Sequence, residues 1–220
     1  MAVPGEHHPA FEEYCETIFE LREDDLDVIQ ARIADRLRVS RPSVSEMIKR
    51  MSDESLIEVA GGKITLTVTG EELAVRVVRR HRIAERFITD ILGLSWSLAH
   101  REAGRWEHVM SHEVEVAMSS LLGEPTTCPH GNPIPGSGYT PPSAKKLSEL
   151  SSGQAFTVSR IPEELEFTPG MLEFLENSHL VPGSHGTVQI GAEAGDMTVL
   201  IDGTSVTVDS YATARILVTV

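Results

Sequence analysis

Apolar positions recur at helical spacing through the first half of the chain and alternate with polar ones through the last third. The pattern predicts helices first and short strands afterwards. Between residues 10 and 22, Phe11, Tyr14, Ile18 and Leu21 form one stripe, with Glu12, Glu13, Glu16 and Glu20 between them. Residues 28–37 (VIQARIADRL) predict a second amphipathic helix. Arg38, Val39 and Ser40 make a short turn. Ser40 can cap a third helix in which Pro42 takes a first-turn position, where its missing N–H costs little. Two helices joined by a tight turn, the second polar and basic, form a helix-turn-helix. Residues 56–59 and 63–68, separated by Gly61 and Gly62, predict a β-hairpin, the wing of a winged helix.

Thr69 is placed to cap a long helix that runs to Gly93, and residues 97–122 predict another. Their apolar stripes are wider than one small domain can cover, which predicts burial in a dimer. After Gly123 the stretch EPTTCPHGNPIPGSGYTPPS is dense in Pro, Gly, Ser and Thr, the composition of a linker or an irregular tie-down segment. From residue 153 onward the runs FTVSRI, GTVQIGAE, MTVLIDG, TSVTVDSY and ARILVTV predict a small antiparallel β-barrel, with PGMLEFLENS as its helical insert. The expected fold is mainly α with a small β-domain. Its units are a winged helix-turn-helix over 1–72, a helical dimerisation and metal-binding domain over 73–140, a linker over 141–153 and the β-domain over 154–220.

Charge alters this picture locally. A net charge of -14 over 220 residues argues against indiscriminate nucleic-acid binding. Between positions 32 and 50, however, Arg32, Arg36, Arg38, Arg41, Lys49 and Arg50 face only Asp35 and Glu46, so the helix-turn-helix is basic in an acidic chain. Two cysteines, Cys15 and Cys128, provide no disulfide framework. The first residues, MAVPGEHHPAFEEYCE, lack an apolar signal core, and no stretch approaches the roughly 20 apolar residues of a membrane span, so a cytoplasmic protein is expected.

Residues 79–112 carry the candidate chemistry. His81 and Glu85 are four apart and point the same way on a helix; His100, Gly104, Glu107 and His108 again fall on one face. A lone histidine of this kind is ordinarily a polar surface or core residue. Five such groups at matched helical spacing point instead to a metal cage. A metal hydrolase would need an open coordination site beside a general base, but the chain has no H-E-x-x-H, no nucleophile elbow and no phosphate-cradling glycine loop. An enzyme is therefore not expected.

The stretches EEYCETIFEL, ARIADRLRVSRPSVSEMIKRM, RRHRIAERFITDILGL, HREAGRWEHVMSHEVE and HGNPIPG occur in one co-linear register over about the first 140 residues. In these motifs the chain resembles the family of the diphtheria toxin repressor, the iron-dependent regulators and the manganese transport regulators, and its C-terminal region resembles that family's SH3-like domain more weakly. The resemblance implies a homodimeric repressor that binds double-stranded operator DNA when Mn(II) or Fe(II) fills its sites, with Zn(II) or Co(II) as substitutes in vitro. It also implies a primary site of Glu13, Glu16, Glu107 and His108, and an ancillary site of His81, Glu85 and His100 completed by Glu163 and Glu166. Gly104 stands where iron regulators have Cys and manganese regulators have Glu, so one ligand position has no side chain. Cys128 and His130 resemble a pair that joins Glu85 in some manganese-type relatives; alternatively they are a small buried thiol and a turn residue. A shell without thiolate suits Mn(II) or Fe(II), and a thiolate would tilt it toward Zn(II) or Fe(II). His7, His8 and His112 are expected to be bystanders.

For DNA, Ser40, Arg41, Pro42, Ser43, Ser45 and Glu46 lie at the start of the expected recognition helix, with Lys49 and Arg50 farther along toward phosphate. Short Ser and Pro side chains favour van der Waals readout. Glu46 is either an acceptor for a cytosine amine or a solvated helix residue. The gap at Gly104 leaves room for a second reading, a winged-helix regulator that senses something other than metal.

Overall fold

The computed structural model describes residues 9–191 and 195–220; the histidines at positions 7 and 8 lie outside them. Helix α1 (Pro9–Glu23) is buried on two faces. Phe11, Tyr14, Cys15, Ile18 and Leu21 enter the core of the DNA-binding unit, while Glu12, Glu16 and Glu20, spaced by four, form a buried acidic stripe. Helix α2 (Gln30–Leu37) starts two residues later than the pattern suggests and ends at Arg38, whose left-handed backbone (φ 53°) makes the tight turn. Helix α3 (Arg41–Asp53) is capped by Ser40, whose hydroxyl accepts from the Ser43 N–H at 3.2 Å, and it buries Val44, Ile48 and Met51 against α1 and α2. Strands β1 (Ile57–Ala60) and β2 (Lys63–Leu66) pair antiparallel with Ala60 opposite Lys63. Gly61 and Gly62, both at positive φ, form the two-residue turn that matches strand twist.

The next helices differ from the sequence expectation. Helix α4 (Val68–Arg86) is capped by Thr67, not Thr69; the Thr67 hydroxyl accepts from Gly70 N–H and donates to the Ser55 carbonyl at 2.7 Å, which ties the wing to the helix start. Its last stretch widens into a π-helical turn (Phe87–Ile91) before Gly93, at φ 67°, reverses the chain. The single helix expected over 97–122 is two: α5 (Trp96–Trp106) and α6 (His112–Leu121). Ser111 accepts from Val114 N–H with Glu113 and Glu115 in the first turn, an N-terminal signal that restarts the helix. Glu107 therefore caps α5 and His108 lies in the turn, so neither continues an unbroken helical face.

The Pro- and Gly-rich segment is a tie-down. Cys128, His130, Asn132 and Ile134 within it are almost fully buried. Strand β3 (Lys145–Lys146) and buried Leu147 and Leu150 fall inside 141–153. They are followed by β4 (Ala155–Arg160), the short helices α7 (Glu163–Glu166) and α8 (Met171–Asn177), strands β5 (His185–Ile190), β6 (Met197–Ile201) and β7 (Thr204–Val208), helix α9 (Ser210–Thr213) and β8 (Leu217–Thr219). The strands form one antiparallel sheet in the order β3-β8-β4-β5-β6-β7. Trp96, at the start of α5, is buried in the core of this sheet, and its backbone N–H donates to Glu176 of α8 at 3.2 Å. The β-domain is thus docked on the helical domain. Among the described residues, no helix is long and apolar enough to cross a membrane.

Candidate metal centre

The chain reversal at Gly93 packs α4 antiparallel against α5, with Glu85 beside His100 and His81 beside Glu107, and brings the two helical motifs together. His81 Nε2 lies 3.2 Å from Glu85 Oε1 and 3.3 Å from His100 Nδ1, and His100 Nδ1 lies 3.0 Å from the same Glu85 oxygen. Other parts of the chain complete the group: Glu166 Oε2 of α7 stands 3.3 Å from His100 and 2.9 Å from His130, and Cys128 Sγ stands 3.8 Å from His130 Nδ1. Glu85, Cys128 and His130 offer ligand atoms within 4.8 Å of one another, as do His81, Glu85 and His100.

A second group forms on the opposite side of the His81 ring. His81 Nδ1 is 2.5 Å from Glu107 Oε2, Glu107 Oε1 is 3.1 Å from His108 Nε2, and His108 Nδ1 is 2.8 Å from Glu12 of α1. Glu16, one helical turn beyond Glu12, completes a triad with His81 and Glu107 whose ligand atoms also lie within 4.8 Å. Gly104 and Glu13 line the open cleft beside this triad, a cavity of about 590 Å³, with Arg36, Arg38 and Arg101 on its walls.

The donors suit a divalent cation. Glu16 Oε1, Glu85 Oε2 and His130 Nε2 are buried without a hydrogen-bond partner, although such groups are almost always satisfied in folded proteins. Burial, together with Glu107 and Glu20, raises Glu16 well above the usual carboxylate range. Burial alone would lower His100, but Glu166 and Glu85 outweigh it and raise the imidazole to about 9. His81 is likewise held well above the usual imidazole range by Glu85 and Glu107 against its burial. Burial would raise Glu166, yet His130 and the His100 contact bring it down to about 2. The Cys128 thiol is pushed up by burial and by Glu85.

An iron-dependent repressor N-terminal DNA-binding domain matches residues 8–63, and an iron-dependent repressor metal-binding and dimerisation domain matches residues 67–136. The chain belongs to the iron-dependent repressor family. It is 39% identical over 204 residues to the iron-dependent repressor IdeR of Mycobacterium leprae, covering 87% of this chain and 88% of that one. To the diphtheria toxin repressor of Corynebacterium glutamicum it is 36% identical over 205 residues, 89% of each chain. Among solved structures it is similar to a manganese-dependent transcriptional repressor in complex with manganese (TM-score 0.84, 32% identity, 95% of this chain and 99% of that one). Another is ScaR with bound Zn2+ (TM-score 0.77, 26% identity, 95% and 98%). These family members are named as repressors, not enzymes.

Against this family's pattern, the sequence expectation and the structure part at two places. Glu13 is exposed at the cleft mouth, and Glu12 instead faces His108, because Glu12, Glu16 and Glu20 share the inner face of α1 and Glu13 is turned about 100° away. Helical spacing from Glu16 was the available signal for Glu12. Glu163 does not join the histidines: it sits 2.9 Å from fully buried Arg82, which Glu23 also neutralises at 2.6 Å. Arg82 had no sequence signal, since its burial arises only when α1, α4 and α7 meet. His112 is largely exposed, with Glu115 4.0 Å away. Ser40, Arg41, Pro42, Ser43, Ser45, Glu46, Lys49 and Arg50 are all exposed on the first turns and outer face of α3.

Proposed function

We propose that this chain is a homodimeric repressor that binds operator DNA when Mn(II) or Fe(II) occupies the two clusters. The observation that carries the reading is that Glu12 and Glu16 of α1, in the DNA-binding unit, face Glu107 and His108 at the end of α5. Glu12, Glu16, Glu107 and His108 are the primary set, with Glu13 beside it; His81, Glu85, His100 and Glu166 are the ancillary set, with Cys128 and His130 adjoining. A bound divalent cation supplies the positive charge that lets crowded carboxylates stay ionised together. The side chains from α1 and α5 then hold the reading head to the dimer frame, and the exposed face of α3 meets the major groove. Lys49 and Arg50 reach phosphate. A cation that binds only the DNA-competent form stabilises it by about 2.7 kcal/mol at 100 times its dissociation constant, about a hundredfold in DNA affinity.

Selection from a random duplex library in Mn(II), followed by anisotropy titration of the enriched duplex in Mn(II) and in chelator, tests the reading. Metal should tighten binding by at least tenfold. Equal affinity in the two conditions would favour the regulator that is not gated by metal.

A further inference from the structure

The ancillary cluster is joined to the reading head by a run of polar contacts through the β-domain. Glu166 turns Oε2 toward His100 and His130 and accepts through Oε1 from the Asn132 amide at 2.7 Å. Asn132 is fully buried; its amide also donates to the Ile161 carbonyl at 3.0 Å, and its carbonyl oxygen accepts from Arg160 Nε. Arg160 Nη2 then pairs with Asp24 and, at 3.3 Å, with Glu23. Asp24 also accepts from the Glu164 backbone N–H at 3.2 Å. Glu23 is the last residue of α1, and the chain enters α2 at Gln30, seven residues later. Phe167 provides a second, independent link: its ring meets the edge of His100 at 5.1 Å and lies 3.8 Å from the guanidinium of Arg36 on α2.

The chemistry at position 132 is directional. The amide donates to the carboxylate with its nitrogen and accepts from the guanidinium with its oxygen, so the orientation of Glu166 fixes that of Asn132 and through it Arg160. We infer that Asn132 and Arg160 are positioning residues that carry the state of the Glu166 cluster to the α1–α2 corner of the reading head. They touch neither cation nor DNA. The inference rests on the metal-gated reading above and extends it, giving the β-domain a part in transmission beyond lending a ligand.

The test compares wild type with Arg160→Met, the conservative Arg160→Lys and, as a second route to the same contact, Asp24→Asn. Each is titrated with Mn(II) by calorimetry and with the enriched duplex by anisotropy, with and without Mn(II). Hydrogen exchange over residues 20–30 is followed on adding Mn(II) alone. In Arg160→Met and Asp24→Asn, Mn(II) affinity should stay close to wild type while the metal-dependent gain in DNA affinity drops about tenfold, within the usual size of coupling between sites. Metal-induced protection over residues 20–30 should fall in parallel, and Arg160→Lys should retain most of both. A purely structural role would weaken DNA binding equally in both metal states. That outcome, or an unchanged metal-dependent gain in both Arg160→Met and Asp24→Asn, overturns the relay while leaving the metal-gated reading intact. A wild type indifferent to Mn(II) overturns both.

Discussion

His81 holds Glu107 at 2.5 Å through Nδ1 while its Nε2 faces Glu85 and His100, so one imidazole belongs to both clusters. His108 belongs to one only, through Glu107 and Glu12. His81→Ala should therefore weaken Mn(II) binding at both sites, and His108→Ala at the primary site alone. Calorimetric stoichiometry on the two variants decides it; identical titrations would contradict the shared-ring arrangement.

Gly104 lines the cleft beside Glu16, His81 and Glu107, and a Cβ built on it meets nothing within 4 Å. Gly104→Glu should tighten Mn(II) binding, and Gly104→Cys should shift preference toward Co(II) and Zn(II), following ligand softness. Replacing glycine inside α5 should also stabilise the apo helix by up to about 1 kcal/mol. Calorimetry and thermal melts of the metal-free variants check both effects.

Burial raises Asp24 to about 6, against the pull of Arg160, the Glu164 N–H and Arg36 and with Glu23 adding to the rise. A carboxyl whose folded value exceeds its unfolded value near 3.8 gives stability that is complete below that value and lost as pH rises through about 6. Asp24→Asn should therefore melt near wild type below pH ~4 and above it at neutral pH, by at most about 3 kcal/mol. The pair with Arg160 would then serve geometry at a cost in stability, as buried ion pairs often do. A melt series of the metal-free proteins from acid to neutral pH tests the sign; a variant less stable than wild type at neutral pH would reverse it.

Ile91, Leu92 and Leu94 after α4, with Val109, Val114, Val116 and Leu121 around α6, are exposed apolar side chains in the part of the chain that matches a dimerisation domain. Val116→Glu with Leu121→Glu should yield a monomer by sedimentation and abolish tight binding to a two-half-site duplex, with helical content unchanged by circular dichroism.

Lys49 is exposed on the outer face of α3. Lys49→Ala should weaken binding to enriched and unrelated duplexes alike and lower the salt slope by about 1, whereas Ser43→Ala should change preference among duplexes with little effect on that slope.

The sequence by itself determined the element types, the winged helix-turn-helix and the two helical metal motifs, because each rests on local physics. Ser40 caps α3 within one turn, Gly61 and Gly62 close the hairpin, and His81 with Glu85 share a face through helical periodicity alone. It also carried the signal for the break between α5 and α6, in Ser111 and the acidic residues after it, although apolar periodicity across the break concealed it. What the tertiary structure decided is which chain segments meet. Glu12 rather than Glu13 faces His108 because packing sets the rotation of α1. Glu163 turns to Arg82, and Asn132 spans Glu166 and Arg160, because α1, α4, α7 and the 128–134 segment converge from positions far apart in the chain. No local pattern encodes such a meeting: each of these residues is an ordinary polar side chain until burial removes water and leaves protein groups as its partners.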